Sequence, residues 1–188
     1  MMMKKSVLLI LILMFVLNAI AQNSNKPNTN VKENAIIHTD EIISAAKKGD
    51  GLAVADSVLR VIPIEGKYNV GVSVVTRSRI NGKTPPDAIL HDVVTEVYNI
   101  IEGNGILVVG GTLDSAQKLP SKSPIVLKIT GPSSRGKSIS GGTQYEVGPG
   151  DIIVIPPNTP HGFSDIKTNK IVYSLVRIDT EKVLELKN

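Results

Sequence analysis

The chain has 188 residues, enough for one ordinary domain, and carries 41% hydrophobic residues, 3% aromatics and no tryptophan. It contains no cysteine, which excludes a disulfide framework, a thiolate nucleophile and cysteine-ligated zinc. The formal charge is +4, and no Lys/Arg cluster interleaved with aromatics accompanies it, so composition speaks against nucleic-acid binding.

In chain order, residues 1–21 read first as a secretory signal peptide. "MMMKK" supplies a positive start, Val7 to Leu17 an apolar run of 11 residues, and Ala19 to Ala21 a small-residue cleavage pattern. The run is shorter than the roughly 17–25 residues a spanning helix needs, so cleavage leaves no stable membrane anchor. Removing Lys4 and Lys5 with this leader lowers the charge from +4 to +2, and the expected location is periplasmic or extracellular. Residues 22–35, Asn-rich and polar, read as a flexible linker. Within 36–56, Thr39 or Asp40 is placed to cap a short helix. Ile42, Ile43 and Ala46 give it an apolar side, Lys47 and Lys48 suit its C-terminal end, and Gly49 stops it. His38 lies just outside and reads as a local surface side chain.

From residue 57 to 188 the period becomes that of strands. "SVLRVIPI", "YNVGVSVVTR", "EVYNIIEG", "GILVVGGTL", "IVLKIT", "YEVGPGDIIVIP" and "KIVYSLVRID" alternate with turn signals such as Glu65-Gly66 and Gly148-Pro149-Gly150. Many short strands at close spacing predict an all-β sandwich or barrel, with Val, Ile and Leu filling its core. "GPSSRGKSISGG", residues 131–142, is glycine-rich but lacks a strand-to-helix junction, and reads as a hairpin loop rather than a phosphate cradle.

Two histidines fall in this region. His91 precedes Glu96 across a short bend, and His161 begins a strand after the Pro-rich turn Pro156–Pro160. With Gly103, the spacing His91-x4-Glu96-x6-Gly103 resembles the first motif of the cupin superfamily, and Gly150-x5-Pro156 with His161 resembles the second. The resemblance spans about Lys67 to Asp179 and implies a cupin double-stranded β-helix, a jelly-roll barrel preceded by the short helix. The departures are specific. Ile89 stands where the first motif's first histidine would be, Asn158 replaces a glycine, Asp165 replaces an asparagine, and Gly82 is displaced by one residue.

The resemblance makes His91, Glu96 and His161 metal ligands. Such a two-histidine, one-carboxylate set suits Fe, Mn, Ni, Co, Cu or Zn as the divalent transition metal, with open positions for a small molecule. On the alternative reading Glu96 pairs with an Arg or Lys and the histidines hydrogen-bond locally. Tyr98 shares Glu96's strand face and is a weak catalytic candidate, or else a core aromatic. Arg77 and Arg177 end strands, where a guanidinium either recognises a carboxylate or faces solvent; Asp92 points away from His91 by strand alternation. Two functions follow: an exported metal-dependent enzyme of dioxygenase, decarboxylase, isomerase or lyase type acting on a small molecule, or a non-catalytic small-ligand binder, with or without metal. A homodimer is what the resemblance implies for assembly.

Overall fold

The computed structural model describes residues 35–86 and 88–188. The expected signal peptide (1–21) and nearly all of the expected linker (22–35) lie outside the described residues. By its contacts the chain divides into Met1–Val31 and Lys32–Asn188, and every described residue belongs to the second unit.

Helix α1 (Thr39–Lys48) begins one residue earlier than a Thr39 cap would require. His38 is the N-cap, and its backbone N–H donates to the Glu41 carboxylate at 3.1 Å. Gly49 ends the helix with an ordinary right-handed φ of −88°. Its lack of a side chain serves packing instead, because a Cβ there would lie 2.6 Å from the Thr76 Cβ.

Strands β1 (Val54–Ile64) and β2 (Tyr68–Ser78) form a hairpin whose turn residues Glu65 and Gly66 both have positive φ. The barrel thus starts at Val54, three residues before the expected Ser57. There follow β3 (Ala88–His91), β4 (Val94–Glu102), β5 (Gly105–Val109), β6 (Thr112–Asp114), β7 (Gln117–Lys118), β8 (Ser133–Gly136) and β9 (Ser138–Ser140). The series ends with β10 (Thr143–Val147), β11 (Ile152–Ile155), β12 (His161–Ile166) and β13 (Lys170–Asp179). One sheet runs β1-β2-β13-β4-β11 and the facing sheet β10-β5-β12-β3-β8-β7, with β6-β9 as a small third. This is the expected jelly roll.

Two expectations are corrected. "IVLKIT" is not a strand: Val126–Thr130 form a single π-helical turn. A five-residue apolar run fits either state by pattern, and here tertiary contacts decide, since the Leu127 carbonyl accepts from the Glu185 N–H at 2.8 Å. Residues 131–142 are not one hairpin loop either. β8 pairs with β3 and β7, whereas β9 pairs with β6.

Between the two large sheets lies a core of Val75, Ile100, Leu107, Ile155, Ile171, Leu175 and their neighbours. The aromatics, though few, are central to it: Tyr98 stacks on Tyr173 at 4.4 Å between ring centroids, and Phe163 lies 6.0 Å from Tyr173. Val, Ile and Leu therefore do not fill the core alone. On the outer face of the five-stranded sheet, Ala45 of α1 packs with Val74 and Val172.

Gly103 ends β4 with φ +83°, and a Cβ there would run into the Lys170 carbonyl oxygen. Gly103→Ala is expected to destabilise the fold by about 2 kcal/mol or more, from left-handed strain plus the clash. Urea unfolding of the two proteins measures the difference, and equal midpoints would contradict it.

Candidate metal centre

The site forms where the chain changes sheets. β3 ends at His91 in the six-stranded sheet, and β4 starts at Val94 in the facing one, so the two strands expected to be neighbours across a bend lie opposite each other. The bend Asp92–Val93 carries Asp92 outward, as alternation predicted, into an ion pair with Lys118. His161 enters from β12, where it sits directly across from Ile89. Asn158, in place of the motif's glycine, adopts φ +58°, a conformation asparagine tolerates. Its N–H donates to the His91 carbonyl at 2.7 Å and ties the Pro-rich turn to the first histidine.

The structure brings His91, Glu96 and His161 together, all buried, with ligand atoms within 4.8 Å of one another. Glu96 Oε1 lies 3.3 Å from His91 Nε2, and Oε2 lies 3.3 Å from His161 Nε2. Each imidazole is fixed from behind. His91 Nδ1 lies 2.9 Å from the Thr130 carbonyl and 2.8 Å from Ser133 Oγ, and His161 Nδ1 lies 2.9 Å from the Thr159 carbonyl. A carbonyl only accepts, so each Nδ1 carries the proton and donates it there, and each Nε2 presents a lone pair toward Glu96. His161 Nε2 accordingly has no hydrogen-bond partner among the described residues, despite its full burial.

Two lone pairs and a carboxylate converging in a buried space repel one another unless a cation lies among them. A single added proton would serve one Nε2 and leave the other orphaned, whereas a divalent ion serves both. Donors bonded at about 2.1 Å to one ion lie roughly 3.0–3.4 Å apart, which the 3.3 Å separations match. The residues present therefore fit a metal.

Glu96 also has the partner that the alternative reading required. Arg177 Nε donates to its Oε1 at 2.9 Å and Tyr98 Oη to its Oε2 at 2.9 Å. Arg177 does not face solvent at a strand end; it is buried, and its other nitrogens reach Asp56 Oδ2 at 2.5 Å and Ser73 Oγ at 2.9 Å. Burial alone would raise the Glu96 pKa, but the Arg177 guanidinium bonded to its Oε1 holds the carboxyl well below the usual range. Burial, then the Glu96 charge, pushes the Tyr98 hydroxyl well above its ordinary value, so it stays protonated as a donor. Arg77 is buried as well; its Nε donates to Tyr173 Oη at 2.8 Å.

A cavity of about 310 Å³ lies over the cluster. His91, Glu96 and Tyr98 line its depth, while Val54, Ile125, Ile129 and Arg135 stand toward its mouth. Sequence reasoning missed Asp56, Ser133 and Arg135. Asp56 is the one carboxylate in the apolar run of β1, a signal of a buried partner that was there to be read.

The family model described as "AraC-like ligand binding domain" matches residues 135–187, less than a third of the chain. No curated protein matches the sequence. Among solved structures, a conserved protein with a double-stranded β-helix domain from Klebsiella pneumoniae shares 13% identity over 79% of this chain and 93% of its own, with a TM-score of 0.50. Oxalate oxidase in complex with the substrate analogue glycolate shares 18% identity over 84% of this chain, with a TM-score of 0.48. The chain spans 65% of that enzyme's length. What the chain shares with the Klebsiella protein is the double-stranded β-helix.

Arg177→Met strands Glu96 as a buried carboxylate and takes the partner from half-buried Asp56, and the expected loss at neutral pH is about 3–5 kcal/mol. In the wild type, the depressed folded pKa of Glu96 contributes stability that is present above its ordinary 4.5 and lost as pH falls through the folded value. Without Arg177 that depression shrinks, so the gap between variant and wild type should narrow below pH 4.5. Melting curves of chelator-treated protein across this range test it; a gap independent of pH would refute the assignment.

Proposed function

Starting from a chain that is a cupin by fold, we propose a metal-dependent protein that holds one divalent transition metal through His91, Glu96 and His161 and acts on a small molecule in the barrel. The observation that carries this reading is the pair of Nε2 lone pairs, each fixed by its Nδ1 contact, meeting one carboxylate in a buried space. A metal bound there supplies Lewis acidity and open coordination positions. The chain's own residues do the rest. Arg177 and Tyr98 hold the Glu96 carboxylate in place, Thr130, Ser133 and Thr159 hold the imidazoles, and Ile89, Val75 and Leu175 keep water from the cavity wall. Tyr98 keeps its proton and is the side chain beside Glu96 placed to offer a hydroxyl to a ligand. Dioxygenation, decarboxylation, isomerisation and elimination are all chemistries such a centre supports.

A second reading, a non-catalytic small-ligand binder, has its own support in the ligand-binding-domain match over residues 135–187. Ile89, apolar in the cavity wall where a further ligand would stand, favours it too. Turnover of a candidate substrate by the metal-loaded protein separates the two.

Elemental analysis of protein purified without chelators or an affinity metal column should give one metal per chain. His161→Ala is expected to abolish retention, Ile89→Ala to leave it near wild type, and Ile89→His to tighten it. Wild type that takes up no metal under any loading condition would sink the metal-dependent reading.

Export and pairing of two copies complete the proposal. The basic start, short apolar run and Ala19–Ala21 pattern support a cleaved leader. The edge strand β11, with Ile152 and Val154 exposed, supports an association of copies. Native mass spectrometry of the exported protein should show a chain beginning at Gln22 and a particle of twice its mass. An uncleaved or monomeric species would refute the corresponding part.

A further inference from the structure

We infer that the small molecule taken by this barrel is an organic carboxylate, and that Arg135 is the residue that selects it. The inference rests on the reading of the barrel cavity as the ligand site. It begins with register. Arg135 of β8 pairs with Ile89 of β3, and Ile89 pairs with His161 of β12, so the three form one row across adjacent strands. Ser133, two residues before Arg135, lies opposite His91 and contacts its Nδ1, which puts Arg135 on the same inward face by strand alternation. At about 4.8 Å per strand, Arg135 starts roughly 10 Å from His161, a span that an extended arginine and a short ligand bridge.

Charge gives the chemical class. The cavity is lined by two carboxylates, Asp56 and Glu96, with Arg177 beside them and Arg135 toward the mouth. Both carboxylates are engaged by Arg177. Arg135 is exposed, and among the described residues its guanidinium has no ion-pair or hydrogen-bond partner. A divalent metal at the cluster would add positive charge at the inner end of the cavity. A neutral ligand would leave the Arg135 charge unmatched, whereas a carboxylate fits the planar fork of that arginine at the mouth.

Ile89 fixes where the ligand lies. It separates Arg135 from His161 in the row and offers no donor or acceptor, so the segment passing over it is short and apolar while the ends are polar. The cavity, about 310 Å³, is at the small end for ligand pockets. A short dicarboxylate or a similarly sized acid with a second polar end fits this pattern, with one end toward the histidines and the other on Arg135.

Calorimetric titration of the full chain with oxalate, malonate and succinate, and with their neutral diamides, tests the inference. Wild type and Arg135→Gln are each measured manganese-loaded and after chelator treatment. At least one dicarboxylate should bind wild type in both states, with its diamide at least about tenfold weaker. Arg135→Gln should lose about tenfold or more of that affinity in both states, the value of one charge-assisted contact, while its melting temperature and manganese uptake stay at wild-type levels. Equal affinity of wild type and variant, equal binding of acid and diamide, or no binding of any of the three acids would overturn it. If only the metal assignment fails, manganese loading changes nothing and the Arg135 comparison in chelated protein still stands.

Discussion

The candidate site is arranged around one buried carboxylate, that of Glu96. Glu96 accepts from Arg177 and Tyr98 on the flanks its histidines leave open, and burying it without them would cost several kcal/mol. Because each oxygen is already bound from one side, the carboxylate is held with one oxygen toward each imidazole. Arg177 in turn bonds to Asp56 and Ser73, so β1, β2, β4 and β13 all contribute to placing a single side chain. A site held this way is preorganised: its geometry does not wait for the ligand to create it.

The two sheets divide the work. The five-stranded sheet supplies the acid and its arginine, and the six-stranded sheet supplies both histidines and Arg135. Closing the barrel is therefore the same event as assembling the site. Aromatic packing of Tyr98, Tyr173 and Phe163 lies directly beneath, so the core and the site share Tyr98: its ring belongs to one and its hydroxyl to the other. A protein with no cysteine gets its rigidity here from that shared packing and from the buried ion pairs.

Much of this was legible in the chain. Strand periodicity marked most of the two large sheets, and the motif resemblance around His91, Glu96 and His161 pointed to three side chains that do meet. The π turn at Val126–Thr130 was not legible, since a β-branched pentapeptide has the same pattern whether extended or coiled. Arg177 was misjudged for a different reason. Its position near a strand end suggests solvent, and only the pairing of Arg177 with Glu96 across β13 and β4 shows that it points inward. Arg135 carried no signal within a glycine- and serine-rich stretch, because its role depends on a register that joins residues 46 positions apart.

The π turn has one further consequence. Its last carbonyl, that of Thr130, fixes the proton on His91, while Ile125 just before it and Ile129 within it form part of the cavity mouth. The entrance and the histidine's tautomer are thus mechanically one object, anchored from outside by the Glu185–Leu127 hydrogen bond of the C-terminal tail. An enlargement of the entrance made by lengthening this turn would also release the imidazole, whereas widening along the β1 rim at Val54 would leave it held. The width of the opening and the orientation of His91 are set together.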